Sequence, residues 1–314
     1  MKIALGIDFG SENLTIYKKG EGVVFKEPSL LCVKKTNNNF LVVALGEDVL
    51  KIKDDYINQI IFSPLAEGVV KSVEYAALLL KYALNKVFKV LMFKNFEATI
   101  AVPCGLDNSE VEKFVKICKL AGLSKTHVVP AVLCIDRPNN AAMLMIDIGA
   151  AKADIAIVSG GEVVRGATLG LGGYNIDMMI LQKLFDKHGA YFAEVSAKKI
   201  KEQIGSLFST DKGAMEVVGI DANDSTAHNY PVASSLIFGQ IEAVFSEVAK
   251  VANSLVAALS EDLQGTVRKN GATIVGGGSQ ITGCEKFFAK RLGMRCHIPD
   301  NADNAVALGF KFLL

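Results

Sequence analysis

Three short glycine-bearing turns carry the residue types in this chain best suited to hold a polyphosphate. The first is Asp8-Phe9-Gly10-Ser11-Glu12-Asn13 and the second is Asp147-Ile148-Gly149-Ala150-Ala151-Lys152. Glycine and small residues in a turn between strands let backbone N–H groups approach phosphate oxygens, while Asp8 and Asp147 can hold a metal ion through its waters. The third turn, Gly276-Gly277-Gly278-Ser279, follows the apolar run Ala272-Thr273-Ile274-Val275 and precedes a helix-like segment. Its surface, free of side chains, suits a flat base or a sugar lying against the backbone. No GxxxxGK[ST] run occurs, which excludes a Walker-type nucleotide site. Three such turns together point to a nucleotide cleft.

These turns recur in a duplicated setting. Ile7-Asp8-Phe9-Gly10 and Ile146-Asp147-Ile148-Gly149 are offset by 147 − 8 = 139 residues, near half of the 314-residue chain. Each follows an apolar run and leads into a second β-like run, Leu14–Tyr17 or Asp154–Val158, and then a Gly/Glu turn with a valine pair. Each half therefore opens as strand, Asp-x-Gly turn, strand, turn, strand. Downstream, Glu97–Val102 reads as a strand stopped by Pro103. Asn108-Ser109 reads as the cap of a helix running to Gly122, and residues 72–88, 175–187 and 235–259 carry helical spacing. A core helix is the reading of 235–259, with a coiled-coil seam as its rival. Residues 219–231 read as a polar loop between subdomains. The alternation predicts an α/β chain of two related domains, 1–142 and 143–314, facing each other across a cleft, the second with a subdomain at about 175–255.

Composition narrows the functional classes. With 34 Lys+Arg against 33 Asp+Glu the chain lacks the basic excess of a nucleic-acid binder, and 50% hydrophobic residues exclude disorder. Mean hydropathy is +0.31, yet no run approaches the roughly 18 apolar residues of a membrane span. Asp8 interrupts the N-terminal apolar run too early for a signal peptide. Six cysteines without CxxC spacing predict reduced core thiols of a cytoplasmic protein, and the four scattered histidines suggest neither a metal site nor a triad.

An ordered series of motifs resembles the actin superfamily, which includes sugar kinases and heat-shock chaperone ATPases, and more narrowly bacterial MreB. Gly20-Glu21-Gly22-Val23-Val24-Phe25-Lys26-Glu27-Pro28-Ser29 resembles that family's Asn-Glu-Pro-Ser segment, and Pro64–Val70 its Pro-Leu/Met-x-Asp-Gly-Val-Ile run. Gly172–Asp177 resembles Gly-Gly-Asp-x-Phe-Asp, Val275–Gly278 resembles Thr-Gly-Gly-Gly, and Asn304–Gly309 the terminal Val-Ala-x-Gly. The resemblance implies an actin-like (ribonuclease H-like) duplicated two-domain fold with a nucleotide cleft between the halves, binding ATP/ADP with Mg2+. It places Asp8, Gly10, Ser11, Glu12 and Asn13 in one phosphate loop and Asp147, Gly149, Ala150, Ala151 and Lys152 in the other. It sets Lys198 and Lys201 near the sugar and adenosine, and Gly276, Gly277, Gly278 and Ser279 on the adenine side.

Departures from the family pattern fall on catalysis. Where the family has a glutamate before a proline to position the attacking water, this chain has Val129-Pro130, and where its second loop has a threonine, this one has Lys152. Losing a positioned general base costs about 10²–10⁴ in rate, so the resemblance implies ATP binding with weak or lost hydrolysis. At Lys198 the family usually has a sugar-contacting glutamate. Lys152 admits two readings, a fixed cation on the phosphates or a solvated lysine on a turn. Residues 86–96 suggest a membrane loop, with Val90, Leu91, Met92 and Phe93 among Lys86, Lys89 and Lys94, against the alternative that they extend the core. For the C-terminal Gly309–Leu314 segment, a helix packed on its own domain is the reading.

Three functions are open at this point. The first is an MreB-like filament that assembles with itself or sister MreB proteins at the inner membrane surface, organises cell shape and works with the cell-wall synthesis machinery. The second is a non-polymerising nucleotide-binding regulator of other filaments. The third is a small-molecule kinase of the same fold with Asp8 or Asp147 as base.

Overall fold

A computed structural model describes residues 2–36, 39–52, 58–66, 68–88, 95–123, 125–137 and 141–314. The chain forms two compact units, Met1–Asp136 with Asn304–Leu314, and Arg137–Asp303. The divide falls at 136/137, where the sequence had suggested 142, and the last eleven residues return to the first unit.

In the first unit, Lys2–Phe9, Asn13–Lys18 and Gly22–Pro28 form an antiparallel meander. Asn95–Val102 and then Lys125–Pro130 add in parallel on the other side of the first strand. In the second strand Leu14, Thr15 and Ile16 are all buried, so both faces of the meander are covered there, and a bulge between Ile16 and Tyr17 re-aims the strand before its glycine turn. Helix Val73–Val87 starts where Ser72 Oγ accepts the Tyr75 N–H at 3.3 Å, and buries Ala76, Leu79, Leu80 and Ala83 at helical spacing. Helix Asn108–Leu120 is capped by Asp107 rather than by Asn108-Ser109. Asp107 sits in extended backbone and its carboxylate takes the Glu110 N–H at 2.9 Å. A small sheet of Phe40–Leu45, Leu31–Lys35 and Gln59–Phe62 completes the unit.

The second unit repeats the plan. Met143–Ile148, Ala153–Ser159 and Glu162–Leu169 form the meander, with a bulge at Ile157/Val158, and Ala272–Val275 and Cys296–His297 extend it in parallel. Both five-stranded sheets thus share one strand order, which is how the 139-residue repeat reads in three dimensions. Helix Ser234–Ala257 buries Ile237, Ile241, Val244, Phe245 and Val248 in this unit's own core, so the coiled-coil rival for 235–259 falls.

Two expectations are corrected. Residues 219–231 lie in a β-hairpin of Ala214–Asp221 and Ala227–Ala233, with Asp221 Oδ1 accepting the Asn223 N–H at 2.8 Å in the turn. Only one face of this hairpin is covered, so its polar residues resembled a loop. The C-terminal segment packs on the first unit, where Phe310 is fully buried beneath Gly6 and Lys26 Nζ donates to Asn304 Oδ1 at 2.6 Å. Glycine is needed at 6 because a Cβ there would stand 2.1 Å from the Phe310 ring.

Candidate functional site

In the first unit the chain leaves its first strand at Asp8-Phe9 and turns tightly, the Gly10 N–H donating to the Asn13 carbonyl at 2.9 Å. The Ser29 N–H donates to the Glu12 carbonyl at 2.8 Å, tying the turn to the end of the third strand. Cross-strand register sets Thr15, Asp8, Ala101 and Val129 in one row. Asp8 and Val129 therefore stand two strand spacings apart, about 10 Å, on one face. Sequence and structure agree on what stands at that end of the row: an isopropyl group, which has no lone pair to take a proton from water.

The second unit makes the same turn, Gly149 N–H donating to the Lys152 carbonyl at 2.9 Å. Here helix Gly173–His188 docks on it: the Gly173 and Tyr174 N–H groups donate to the Gly149 and Ala150 carbonyls at 3.0 and 2.7 Å. Gly172 makes this possible, since a Cβ there would lie 2.6 Å from the Gly149 oxygen. Asn175 Oδ1 accepts the Gly172 N–H at 2.8 Å and fixes the helix start.

Asp147 lies directly opposite Asp154, which in turn lies opposite Thr168. Asp154 is fully buried, ion-paired with Lys152 and bonded by the Thr168 hydroxyl. The reading of Lys152 as a solvated turn residue is corrected: its side chain is 19% exposed and folds onto Asp154. Burial pushes the Asp147 carboxyl above its ordinary range, while the Lys152 charge pulls the other way.

Lys201, on helix Glu194–Ile204, is engaged within the unit. Its ammonium lies 2.8 Å from Asp177 Oδ1 and donates to the Gly173 carbonyl at 3.0 Å, with both side chains nearly buried. Lys198 lies one turn earlier on an exposed face, 4.0 Å from Glu202. In the third turn Gly276 takes φ +84°, and a Cβ there would meet Asp147 Oδ1 at 2.4 Å; at Gly278 it would meet Ile148 at 2.4 Å. These two glycines let the turn close onto Asp147-Ile148, whereas the space over Gly277 is open. Ser279 is buried, its hydroxyl donating to the Gly276 carbonyl at 2.7 Å, so it shapes the turn.

The second unit thus gathers Asp147, Gly149–Lys152, Lys201 and Gly276–Ser279 around one sheet end, and the first gathers Asp8, Gly10–Asn13 and Val129 around another. Sequence reasoning missed Asp154, Thr168 and Asp177 as partners. For Asp154 the signal was present: two residues past Lys152 on an extended chain places both side chains on one face. The membrane residues Val90, Leu91, Met92 and Phe93 lie outside the described residues. Next to them Phe88 is buried against Phe96, ring centroids 5.0 Å apart.

Two α/β units of one strand order, each closing its first strand on an Asp-x-Gly turn, define an actin-like protein. A profile of the MreB/Mbl protein family matches residues 2–314, and the chain belongs to that family. It is 25% identical to the cell shape-determining protein Mbl of Bacillus cereus over 99% of this chain and 95% of the relative. It is 23% identical to the cell shape-determining protein MreB of Escherichia coli over 97% of this chain and 91% of that one. Among solved structures, MreB5 of Spiroplasma citri bound to ADP superposes with a TM-score of 0.92 at 25% identity, covering 100% of this chain and 96% of the other. Its complex with AMPPNP matches equally. A MamK double helical filament shares the fold, with a TM-score of 0.83 at 20% identity over 100% of this chain and 98% of the other.

Proposed function

We propose that this MreB/Mbl-family chain binds ATP or ADP with Mg2+, polymerises at the inner face of the cell membrane and organises cell shape and wall synthesis, with hydrolysis weak or lost. The observation that carries the nucleotide reading is the pair of equivalent turns, Gly10→Asn13 and Gly149→Lys152, each at the end of a central strand beside an aspartate. In the second turn the helix start takes the carbonyls of Gly149 and Ala150, so an oxyanion approaching this loop meets its N–H groups. Open space over Gly277 suits a flat base. The relative MreB5 supports the reading through its ADP and AMPPNP complexes.

Among the described residues no group of three His, Cys, Asp or Glu side chains could enclose a metal. Mg2+ keeps most of its waters and binds through phosphates with one or two carboxylates; Asp147 stands beside the Gly149–Lys152 turn of the second unit as such a carboxylate, and Asp8 stands beside the Gly10–Asn13 turn of the first. Bound there, it would neutralise phosphate charge. The chain's own part is to present N–H groups, to seat the base over Gly277, and to leave water without a base at Val129.

Membrane attachment is supported by Val90-Leu91-Met92-Phe93 between Lys89 and Lys94. No helix among the described residues is long and apolar enough to cross a membrane. The test is ATP-dependent sedimentation on anionic liposomes, with phosphate release read in the same tube. Pelleting with little phosphate is expected. Brisk release would refute the reading of Val129, and nucleotide binding without pelleting would favour the non-polymerising regulator.

A further inference from the structure

Outside the residues of the nucleotide reading, the second unit carries a groove of about 690 Å3. Its walls are the loop after helix Glu194–Ile204, the first turns of helix Ser234–Ala257, and helix Cys284–Leu292. Phe208, Phe238 and Phe287 form the apolar lining, and none of the three is fully buried.

Backbone contacts hold these walls in place. The Leu207 N–H donates to the Thr282 carbonyl at 2.8 Å and the Phe208 N–H to Ser206 Oγ at 3.1 Å, leaving Phe208 39% exposed. Gly283 takes φ +85°, and a Cβ there would stand 3.0 Å from the Phe208 ring, so glycine lets the loop lie close against the helix start. Phe287 is gripped from the core side by Phe245 and Phe288, with ring centroids 6.1 and 5.6 Å away. Aromatic rings fixed in this way and left facing water mark a recognition surface.

Charge decides what fits. Arg291 lies 5.2 Å over the Phe287 ring and donates to Glu242 at 2.9 Å, so those two charges offset each other. Lys286 and Lys290 stand four residues apart on one helix face, and among the described residues neither has a carboxylate within ion-pair distance. The Lys286 ammonium is 5.7 Å from the centre of the Phe208 ring. Asp211, the one acid of the loop, turns back to accept the Gly213 N–H at 2.8 Å. The groove thus sets an apolar floor beneath two uncompensated positive charges. Ammonium groups on flexible stems attract carboxylates without fixing their geometry, unlike the few converging donors that orient a small molecule. A peptide, with several carboxylates to offer and large apolar side chains to seat, matches that pattern.

We propose that this groove receives a short acidic segment of a partner protein. Its Phe, Trp or Leu side chains sit among Phe208, Phe238 and Phe287, and its carboxylates lie beside Lys286 and Lys290. Binding of the segment needs no nucleotide.

The experiment pans a display library of short random peptides on the full chain without nucleotide, with Lys286→Glu/Lys290→Glu as the counter-target. Peptides kept by wild type and lost by the variant should carry Asp or Glu flanking Phe, Trp or Leu. One of them, synthesised with a fluorescent label, should bind wild type and weaken as salt rises. Affinity should fall on the order of tenfold in Lys286→Glu/Lys290→Glu and again in Phe208→Ser. The same peptide with lysines in place of its acids should prefer the charge-reversed variant. Both variants alter exposed side chains, and an unchanged thermal midpoint separates lost binding from lost fold; if Phe208→Ser fails to fold, the charge reversal and its rescue still decide. Selection of no peptide, or of peptides that the charge-reversed variant binds equally well, overturns the proposal. Displacement of the labelled peptide by inorganic phosphate at matched ionic strength would make the groove a small-anion site and overturn it too. So would wild-type self-association that Lys286→Glu/Lys290→Glu abolishes while no peptide is selected, since the occupant is then a second copy of this chain.

Discussion

Replacing Lys201 by methionine separates a lysine that supports the unit from one that serves a ligand. The ammonium joins Asp177 at 2.8 Å and the Gly173 carbonyl at 3.0 Å, and the two side chains are 12% and 10% exposed. Removing one partner of a buried pair costs about 3–5 kcal/mol, because the remaining charge is left uncompensated. Slight exposure of Asp177 lets water reach it, which favours the lower end, about 3 kcal/mol. For a unit the size of Arg137–Asp303 each kcal/mol shifts the midpoint by about 2–4 °C, so Lys201→Met should lower it by roughly 6–12 °C. Scanning calorimetry reads the midpoint, and hydrogen exchange across helix Gly173–His188 should show the loss locally. Lys201→Met/Asp177→Met should recover most of it, since an apolar pair replaces the ionic one without stranding a charge. A normal midpoint in Lys201→Met, with loss of ADP affinity alone, would refute the reasoning and restore a direct ligand role.

Three other outcomes follow from the geometry. Gly309→Ala would place a Cβ 1.5 Å from the Cys134 carbonyl oxygen, and backbone there has no room to yield. A loss of more than about 3 kcal/mol in the first unit and earlier proteolysis of the C-terminal segment are expected. At pH 8 a thiol reagent should label about one cysteine of the native chain, Cys104, the only one not buried, and all six after unfolding. Burial pushes Cys118 and Cys296 up to about 12, and labelling of either in the folded protein would contradict this. Asp147→Asn should be more stable than wild type at neutral pH. A carboxyl whose pKa is raised by folding favours the native state when protonated, and that contribution is lost as pH rises above the unfolded value near 3.8. The gap between variant and wild-type midpoints should widen from pH 4 to 7, and a constant gap would count against it.

The repeat was legible because Ile-Asp-x-Gly marks the end of a buried strand in both halves, where residue identity and hydrophobic pattern coincide. The core helices were legible for a related reason, as at Ile237, Ile241 and Val248, whose spacing reports a single buried stripe. Other features depend on contacts that spacing does not encode. Asp177 and Lys201, 24 residues apart in sequence, meet across two helices, and the one-sided hairpin at 214–233 carries apolar Val218 and Ile220 on its exposed face, so its alternation in burial is not echoed in residue type. The two Asp-x-Gly segments and the Gly276–Ser279 segment were read correctly as turns of small residues. That Gly276 and Gly278 are needed to close against Asp147 and Ile148, leaving Gly277 open, required coordinates.

The return of Asn304–Leu314 to the first unit also orders events during synthesis. The floor beneath Gly6 is filled by Phe310, so the sheet that begins at Lys2 gains its last cover only when the far end of the chain is made. Arg137–Asp303, by contrast, is one continuous stretch of chain. At about 5–20 residues per second the intervening stretch takes roughly ten to thirty seconds to translate. The half that is begun first is therefore the half that is finished last, and it waits on the ribosome with an apolar groove uncovered.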